Sequence, residues 1–352
     1  MPRILHITPT FNYTCGRSYY HHVTFEYLKS YGCYNYLFSK EGIALERLEL
    51  LENNYTINEN IGSQNPLTIY SLLKQINKVV NEKQINIIHT YSRATELLSF
   101  LYKSLFNKKI VIVNTVLSLI GKRYFIEYKS DRLIAISLCV ESQLLNKFRV
   151  PKNRINLIYN FAEPYSGKYF PKPFNKKEFK ILSVGRYHRE KNFETLLKAL
   201  KYLNNESITL DLIGSGELRS EYQKYIDKNK LNVRLIQPVN DLTPYFLNCD
   251  ICVLPSLVDP LPTFMIQSGF YKKPFIGSDV DGIGETINDG FNGLLFTKGD
   301  SVKLADKIIK YYQDTSLMSR CSDNLYELVS GKHLPVDNVK KIYELYNSLL
   351  PK

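Results

Sequence analysis

The sequence predicts an α/β protein built of two doubly wound domains that face each other across a cleft. Three observations support this fold class. Apolar runs of strand length alternate with segments of helical period along nearly the whole chain, as in parallel sheets covered by helices. A stretch rich in Pro, Gly and Lys divides this pattern near its middle. With 352 residues, of which 44% are hydrophobic, the chain is long enough for two domains of ordinary size.

The first half contains four apolar runs that we assign to parallel strands, within a predicted N-terminal domain of residues 1 to 163. These runs are "RILHIT", "INIIHT", "KIVIVNT" and "RLIAIS". Between the first two, the segment "LTIYSLLKQINKVVNE" is typical of an amphipathic helix. Its predicted core-facing stripe consists of Leu67, Tyr70, Leu73, Ile76 and Val80.

The second half repeats the pattern more clearly. Residues 164 to 178, "PYSGKYFPKPFNKKE", show no periodicity and are predicted to be the linker. A second domain is predicted over residues 179 to 334, with strands at "FKILSVG", "ITLDLIG", "VRLIQP", "ICVLPS", "PFIGS" and "GLLF". The amphipathic helix predicted within residues 335 to 352 either closes this second domain or packs back on the first.

The net charge of +12 is concentrated in the first half, where residues 1 to 165 hold 20 Lys and Arg against 12 Asp and Glu. Such a surface is typical of proteins that meet nucleic acid, an anionic membrane or a phosphorylated ligand, and equally of a solvated lysine-rich face. No nucleic-acid-binding motif occurs, so no nucleic acid is predicted as a partner. The segment "GKRYFIEYK" at residues 121 to 129 mixes basic and aromatic residues as membrane-edge segments do.

Two further features favour a cytoplasmic protein, peripheral at a membrane if it meets one. No run of about 18 apolar residues is present, and the N-terminal apolar stretch is too short for a signal peptide. The six cysteines are scattered, which favours reduced thiols over a disulfide framework. Cys249 and Cys252 have metal-type spacing but lie in a predicted strand, so we interpret them as core residues.

Cationic residues follow the first strand of the second half, in "SVGRYHREKNFETLLKAL". Gly185 ends the strand, Arg186 and Lys191 follow, and Asn192 is placed to cap the next helix. The predicted apolar stripe of that helix comprises Phe193, Leu196, Leu197 and Leu200. A helix N-terminus beside two cations is an anion site, most naturally for a diphosphate, although both cations are also explained as solvated surface residues.

The stretch "PSLVDPLPTFMIQSG" adds polar groups to the same predicted site. Asp259 lies in a loop after a strand, and a helix is predicted to begin near Thr263. The backbone amides of Thr263 and Phe264, and the side chain of Gln267 one turn later, are predicted to face the same ligand as Arg186.

Two glycine-containing segments are less specific. Gly214 and Gly216 follow a strand and allow the backbone to approach a ligand, but a purely structural turn needs the same residues. Asp279 and Asp281 form an Asp-x-Asp that a divalent metal would accept. Because glycines surround this pair, we interpret it as a turn, and no metal site is predicted.

Together these segments resemble the retaining glycosyltransferases of family 4, which have the GT-B fold of two Rossmann-like domains. "VGRYHREKN" is similar to the family's phosphate-binding Gly-Arg and Lys, "IGSGE" to its Gly-x-Gly-Glu turn, and "PSLVDPLPTFMIQSGFYKKPFIGSDVDGIGETI" to its Glu-x7-Glu segment. Asp259 and Gln267 stand at the two glutamate positions, which in the family contact the donor sugar and the ribose. The resemblance implies a donor domain at residues 179 to 334. It implies catalytic residues Arg186, Lys191 and Asp259, and donor-binding residues Gly185, Gly214, Gly216, Glu217, Val239, Leu261, Thr263, Phe264 and Gln267.

The first half matches the family more loosely and would be the acceptor domain. "IIHTYS" is similar to a His-x-His-Ser strand end but has Tyr91 at the second histidine, and Leu117 stands where many members have a histidine. Cys15 stands with its neighbour where the family often has a Gly-Gly turn. The implied acceptor or cleft residues are Gly16, Arg17, His89 and Asn160. His89 is the candidate general base, and a packed core histidine is an equal interpretation.

The resemblance implies retaining transfer of a sugar from a UDP- or GDP-linked donor to a saccharide, glycan or lipid-linked acceptor, in surface polysaccharide or glycan synthesis. It implies no metal and no cofactor, because cations and helix amides stabilise the leaving diphosphate. Gln267 keeps an acceptor oxygen but loses a charge, which predicts weaker donor binding. The alternatives are a non-catalytic nucleotide- or glycan-binding scaffold, a sugar-nucleotide epimerase or phosphorylase, and a basic nucleic-acid binder with steeply salt-dependent binding.

Overall fold

The computed structural model describes residues 1–11, 16–40, 54–123, 126–167 and 175–351. The chain divides into two compact units, Met1–Asn160 with Pro335–Lys352, and Phe161–Leu334. Each unit is built on one parallel sheet with helices, so the prediction of two Rossmann-like α/β domains is confirmed. Among the described helices, none is both long and apolar enough to cross a bilayer.

The first unit contains a seven-stranded sheet whose pairings are parallel. Its strands are β1 (Arg3–Thr8), β2 (Tyr34–Ser39), β3 (Tyr55–Ile57), β4 (Ile87–Thr90), β5 (Val111–Val116), β6 (Arg132–Ala135) and β7 (Ile155–Leu157). They lie in the order β3-β2-β1-β4-β5-β6-β7. The order reverses between β1 and β4, and the carboxyl ends of strands at such a reversal form the crevice in which ligands bind.

The helices of the first unit include one whose predicted orientation was partly wrong. Within Met1–Asn160 the α-helices are α1 (Gly16–Ser30), α2 (Pro66–Glu82), α3 (Arg93–Leu105) and α4 (Leu138–Ser142) in the described residues. In α2 the predicted stripe residues Leu67 and Tyr70 are 81% and 50% exposed. The buried face instead consists of Leu72, Leu73, Ile76, Val79 and Val80. Successive steps of three residues each fall about 60° short of a full turn, so a stripe traced back to Leu67 leaves the buried face.

The second unit contains a six-stranded sheet, also paired in parallel. Its strands are β8 (Phe179–Val184), β9 (Ile208–Ile213), β10 (Val233–Ile236), β11 (Ile251–Leu254), β12 (Phe275–Ser278) and β13 (Leu294–Phe296), in the order β10-β9-β8-β11-β12-β13. All six match predicted strands. Here the reversal lies between β8 and β11, which places the loops after those two strands at the ligand-binding edge.

Seven helices in the described residues accompany this sheet. They are α5 (Phe193–Leu203), α6 (Arg219–Asn229), α7 (Thr243–Asn248), α8 (Thr263–Phe270), α9 (Asp281–Thr286), α10 (Ser301–Gln313) and α11 (Thr315–Lys332). The apolar stripe predicted for α5 is confirmed, because all four of its residues are buried. Cys249 and Cys252 are also buried, as predicted for core residues. Burial raises the pKa of the Cys252 thiol well above its usual range, which keeps it protonated.

The last helix, α12 (Pro335–Leu349), belongs to the first unit. The ring of Tyr343 stacks on that of Tyr31 in α1, with centroids 4.9 Å apart. The chain therefore returns to the first unit after completing the second. The two units divide between Asn160 and Phe161, whereas the first domain was predicted to end at residue 163. Residues 168–174 of the predicted linker lie outside the described residues.

Candidate functional site

Two cations lie at the reversal of the second sheet, in the loop that follows β8. Arg186 comes directly after Gly185, is exposed, and forms no ion pair within the described residues. Lys191 ends a 3-10 turn over Arg189–Lys191, and its side chain is 21% exposed. Arg186 is therefore available to an anion without breaking any contact that the structure describes.

Lys191 is already paired with Asp259, the acidic residue of the neighbouring loop after β11. The Lys191 Nζ lies 2.5 Å from Asp259 Oδ2, and the hydroxyl of Ser256 donates to the same oxygen over 3.1 Å. The Asp259 side chain is only 5% exposed. A buried carboxylate needs such partners because desolvation would otherwise disfavour its charge. Asp259 thus has one oxygen committed to Lys191, which leaves Oδ1 for the predicted contact with a donor sugar.

The Asp-x-Asp segment is hydrogen-bonded to the loop that contains Asp259. The backbone N–H of Asp259 donates to Asp281 Oδ2 over 3.1 Å, and the N–H of Gly282 donates to the Asp259 carbonyl over 3.0 Å. A Cβ at Gly282 would lie 1.9 Å from the Pro260 carbonyl oxygen, so this close approach requires glycine. Burial raises the pKa of Asp281 above its ordinary value. Within the described residues, no group of three metal-ligating side chains is present.

The predicted glycine turn packs against the cationic loop. A Cβ at Gly214 would lie 1.9 Å from the Gly185 carbonyl oxygen, and one at Gly216, whose φ is +148°, would lie 2.5 Å from the Tyr187 carbonyl oxygen. The Tyr187 N–H donates to Ser215 O over 2.7 Å. These two glycines therefore hold the backbone around Arg186 in place, which accounts for them without a ligand. Glu217 is exposed and lies 3.8 Å from His188.

Helix α8 begins at Thr263, as predicted, with Pro262 at its N-cap and no side chain capping its amides. Leu261 and Phe264 are buried, and the ring of Phe264 stacks on that of Phe246 with centroids 5.6 Å apart. Both residues therefore offer backbone rather than side-chain groups to a ligand. Gln267 is half-buried one turn into the helix, and Val239 is half-buried in the loop after β10.

The cap predicted for α5 is wrong in its mechanism. Asn192 does occupy the N-cap position, but with φ 50° and ψ 40° its side chain bonds no helix amide. Its Nδ2 instead donates to Thr195 Oγ1 over 2.7 Å. The left-handed backbone turns the Asn192 side chain away from the helix amides, which a propensity argument does not foresee.

In the first unit, His89 is packed in the core, which agrees with its interpretation as a core histidine rather than with that of a candidate general base. Its side chain is fully buried, with Nδ1 2.6 Å from the Tyr346 hydroxyl and Nε2 2.7 Å from Thr115 Oγ1. Burial holds the pKa of His89 well below its usual range. With both ring nitrogens bonded inside the core, His89 has none left for a substrate. Asn160 is also buried, 4% exposed, at the end of this unit, and so it does not line an open surface.

A pocket of about 190 Å³ lies at the reversal of the first sheet. Its walls include Arg17, Arg93, Asn114, Thr115, Leu117 and Tyr128. Arg17, the second residue of α1, was predicted as an acceptor residue, and Leu117 stands where the resemblance places a histidine. Gly16 is exposed at the start of α1, and Cys15 lies outside the described residues.

Sequence reasoning missed most residues of this pocket, among them Arg93, Asn114 and Tyr128. Arg93 follows β4, Asn114 lies in β5, and Tyr128 comes from the segment before β6. The Oδ1 of Asn114 and the hydroxyl of Tyr128 are buried with no hydrogen-bond partner in the described part of the chain. An asparagine among the valines and isoleucine of the strand "VIVNTV" was the available signal, because a buried side-chain amide must find a partner.

Comparison with known proteins connects this geometry to sugar transfer. Residues 168–328 match the family described as Glycosyl transferases group 1, so the chain carries a domain of that type. An uncharacterized glycosyltransferase of Methanocaldococcus jannaschii is 27% identical over 231 residues, which are 63% of this chain. That alignment spans 62% of the relative, less than two thirds of its length.

Two further comparisons cover nearly the whole chain. The UDP-Gal:alpha-D-GlcNAc-diphosphoundecaprenol alpha-1,3-galactosyltransferase of Escherichia coli is 23% identical over 86% of this chain and 92% of its own length. The crystal structure of HepE from Anabaena, in complex with UDP and glucose, superposes with a TM-score of 0.83 over 99% of this chain and 100% of that one. At 15% identity this likeness is one of fold, and it agrees with the predicted GT-B architecture.

Proposed function

We propose that this protein is a retaining, metal-independent glycosyltransferase of family 4. It would move a sugar from a nucleoside-diphosphate sugar to a saccharide, glycan or lipid-linked acceptor in surface polysaccharide or glycan synthesis. The observation that carries the proposal is the exposed Arg186, which forms no ion pair within the described residues and lies in the same loop as Lys191, in a domain that matches Glycosyl transferases group 1.

The donor diphosphate would bind at the reversal of the second sheet. The planar guanidinium of Arg186 can bond two phosphate oxygens at once. The ammonium of Lys191 carries three N–H groups, and its bond to Asp259 leaves two of them for phosphate. The backbone amides of Thr263 and Phe264, at the N-terminus of α8, add partial positive charge.

These groups supply what the chemistry needs. Breaking the bond between the sugar and the diphosphate leaves negative charge on the departing phosphate, and preorganised cations and amides stabilise that charge. The departing phosphate oxygen can accept the proton of the incoming acceptor hydroxyl, so the mechanism requires no protein base. The core position of His89 and the apolar Leu117 are compatible with such a reaction.

The remaining assignments follow from these positions. Asp259 Oδ1 would accept a hydrogen bond from a hydroxyl of the donor sugar. The amide oxygen of Gln267 would accept a hydrogen bond from a ribose hydroxyl. The loop with Val239 would meet the base, which we propose to be that of UDP or GDP because HepE binds UDP. The surface of the first unit, basic in sequence, would meet the acceptor in the cytoplasm or at an anionic membrane face.

Calorimetric titration of the full chain with UDP, GDP, ADP and dTDP in EDTA tests the donor site. We expect micromolar binding of one nucleotide, lost in Arg186→Ala and partly kept in Arg186→Lys. Arg189→Ala is the matched control, because Arg189 is exposed three residues away and its substitution removes the same charge. Equal affinity of Arg186→Ala and Arg189→Ala would remove the phosphate assignment, and absence of binding to all four nucleotides would favour the scaffold alternative.

A further inference from the structure

We infer that the pocket of the first unit, lined by Arg17, Arg93 and Asn114, binds an oxyanion carried by the acceptor, a phosphate or a carboxylate. Arg17 would be its charge partner. This inference rests on the proposed function, because it treats the pocket as part of the acceptor site. It adds the chemical class of the acceptor, which the proposed function leaves open among neutral and charged glycans.

The charge of the pocket supports an anion. Its lining contains two arginines and no acidic residue within the described part of the chain. Arg93 is neutralised by Glu127, since its Nη1 donates to Glu127 Oε2 over 2.9 Å and to the Lys122 carbonyl over 2.8 Å. Arg17 forms no ion pair in the described residues, and its Nε is buried there without a hydrogen-bond partner. Within the described residues, the guanidinium of Arg17 therefore has no compensating charge at the pocket wall.

An uncompensated guanidinium at a partly buried position is costly unless a ligand completes it. Donors removed from water lose hydration that only a hydrogen-bond acceptor can replace. Arginine presents its donors as a rigid fork that matches the two oxygens of a carboxylate or a phosphate. The first turn of α1, which contains Arg17, holds no acidic residue to compete with such a ligand.

Two neutral groups in the same walls would bind the rest of the acceptor. The Asn114 side chain is 2% exposed and Tyr128 is 3% exposed, and Asn114 Oδ1 and the Tyr128 hydroxyl lack partners in the described residues. Native proteins rarely leave such groups unsatisfied. The Asn114 oxygen accepts hydrogen bonds, the Tyr128 hydroxyl can donate one, and a cation lies in the same pocket walls. This set suits a ligand that carries sugar hydroxyls next to its negative charge.

The place and the size of the pocket agree with this reading. It lies where β4 and β5 end and α1 begins, at the strand-order reversal that forms ligand crevices in doubly wound sheets. Its volume of about 190 Å³ is below the roughly 300 to 1,000 Å³ typical of sites that enclose a whole small ligand. We therefore expect it to hold one charged group or one charged sugar of a larger acceptor.

The test is calorimetric titration of the full chain with glucose 1-phosphate, glucuronate and glucose. It is run on UDP-saturated protein, in which UDP fills the proposed donor phosphate site, and on Arg186→Ala protein, in which that site is disabled. The variants are Arg17→Gln, Arg17→Lys and the charge-matched control Lys108→Gln, which changes an exposed lysine of the same unit. Thermal midpoints check that each variant is folded, and UDP affinity is a second check for the Arg17 and Lys108 variants that keep Arg186.

We expect one anionic probe to bind at least about tenfold more tightly than glucose, and Arg17→Gln to weaken it about tenfold. Lys108→Gln should leave it unchanged, and Arg17→Lys should recover part of the loss. The tighter probe tells whether the acceptor carries a phosphate or a carboxylate. Equal binding of glucose and the anions, an unaffected Arg17→Gln, or no binding of any probe would overturn the inference. Failure of the proposed function is a separate result, seen as loss of nucleotide binding in the unmodified protein.

Discussion

The pair between Lys191 and Asp259 predicts that removing a carboxylate strengthens donor binding. In Asp259→Asn the Lys191 ammonium loses its anionic partner 2.5 Å away, and an incoming diphosphate no longer competes for it. A hydrogen bond to a charged group contributes about 1.5 to 3 kcal/mol when well shielded. Because Lys191 is a fifth exposed, we take about 1 kcal/mol, which is about a fivefold gain in nucleotide affinity.

The opposite variant should behave in the opposite way. Lys191→Met removes a phosphate ligand and leaves the Asp259 carboxylate buried with only the Ser256 hydroxyl. We expect weaker nucleotide binding and a loss of about 2 kcal/mol in the free energy of unfolding, below the 3 to 5 kcal/mol of a fully buried pair. Asp259→Asn should change stability less, because an amide oxygen still accepts from Ser256.

Isothermal titration with the preferred nucleotide, beside chemical denaturation of each variant, measures both effects. Asp306→Asn is the control, since Asp306 is exposed and its loss changes the net charge equally. We expect sugar transfer by Asp259→Asn to fall although binding tightens, because Oδ1 would no longer be part of a carboxylate. Nucleotide affinity that is unchanged or lower in Asp259→Asn would refute the idea that Asp259 competes for Lys191.

Three other predictions concern stability. Gly214→Ala should lower the free energy of unfolding by about 3 kcal/mol, because the new Cβ would clash with the Gly185 carbonyl oxygen. Gly331→Ala, in α11, should raise it by about 0.5 kcal/mol, because no heavy atom lies within 4 Å of a Cβ there. Thermal melts compare the two variants. Asp281→Asn should stabilise the protein at pH 7 and lose that advantage at acid pH. Burial raises the pKa of Asp281, so the stability that its protonated form contributes is lost as the pH rises through that pKa. Denaturation at pH 7 and at pH 4 measures the difference in the free energy of unfolding. Burial lowers the pKa of His6 to about 3 and the pKa values of His21 and His89 well below 6.5. The free energy of unfolding should therefore fall as the pH drops below about 6.5, by up to about 1.4 kcal/mol per pH unit for each histidine. A His21→Phe variant whose free energy of unfolding has the same slope against pH as the unmodified protein would contradict this.

Much of the fold could be predicted because buried strands leave a direct trace in sequence. The six strands of the second sheet are short apolar runs between helical segments, and all were predicted at their observed places. The strands β2, β3 and β7 were not, since "YNYLFS", "YTI" and "INL" are short or rich in tyrosine and asparagine. Their place in the sheet comes from pairing with distant strands, which local composition does not encode.

The candidate site was predicted unevenly for a similar reason. The positions of Arg186, Lys191 and the start of α8 follow from local patterns of strand end and helix start. The contact between Lys191 and Asp259 joins residues 68 positions apart, and no spacing rule reveals it. His89 was ambiguous because burial decides its role, and its partner Tyr346 lies 257 residues later in α12. The pocket around Arg17 likewise combines segments that the sheet order brings together.

We propose that this protein transfers a sugar with retention of configuration and without metal. The most direct measurement is NMR of the products formed in EDTA from the nucleotide sugar whose nucleotide binds, with a charged saccharide acceptor. We expect a new glycosidic bond with the same anomeric configuration as the donor, absent in Arg186→Ala and present in Arg189→Ala. An inverted product would contradict the retaining mechanism. Nucleotide binding without any transfer would show a scaffold rather than an enzyme.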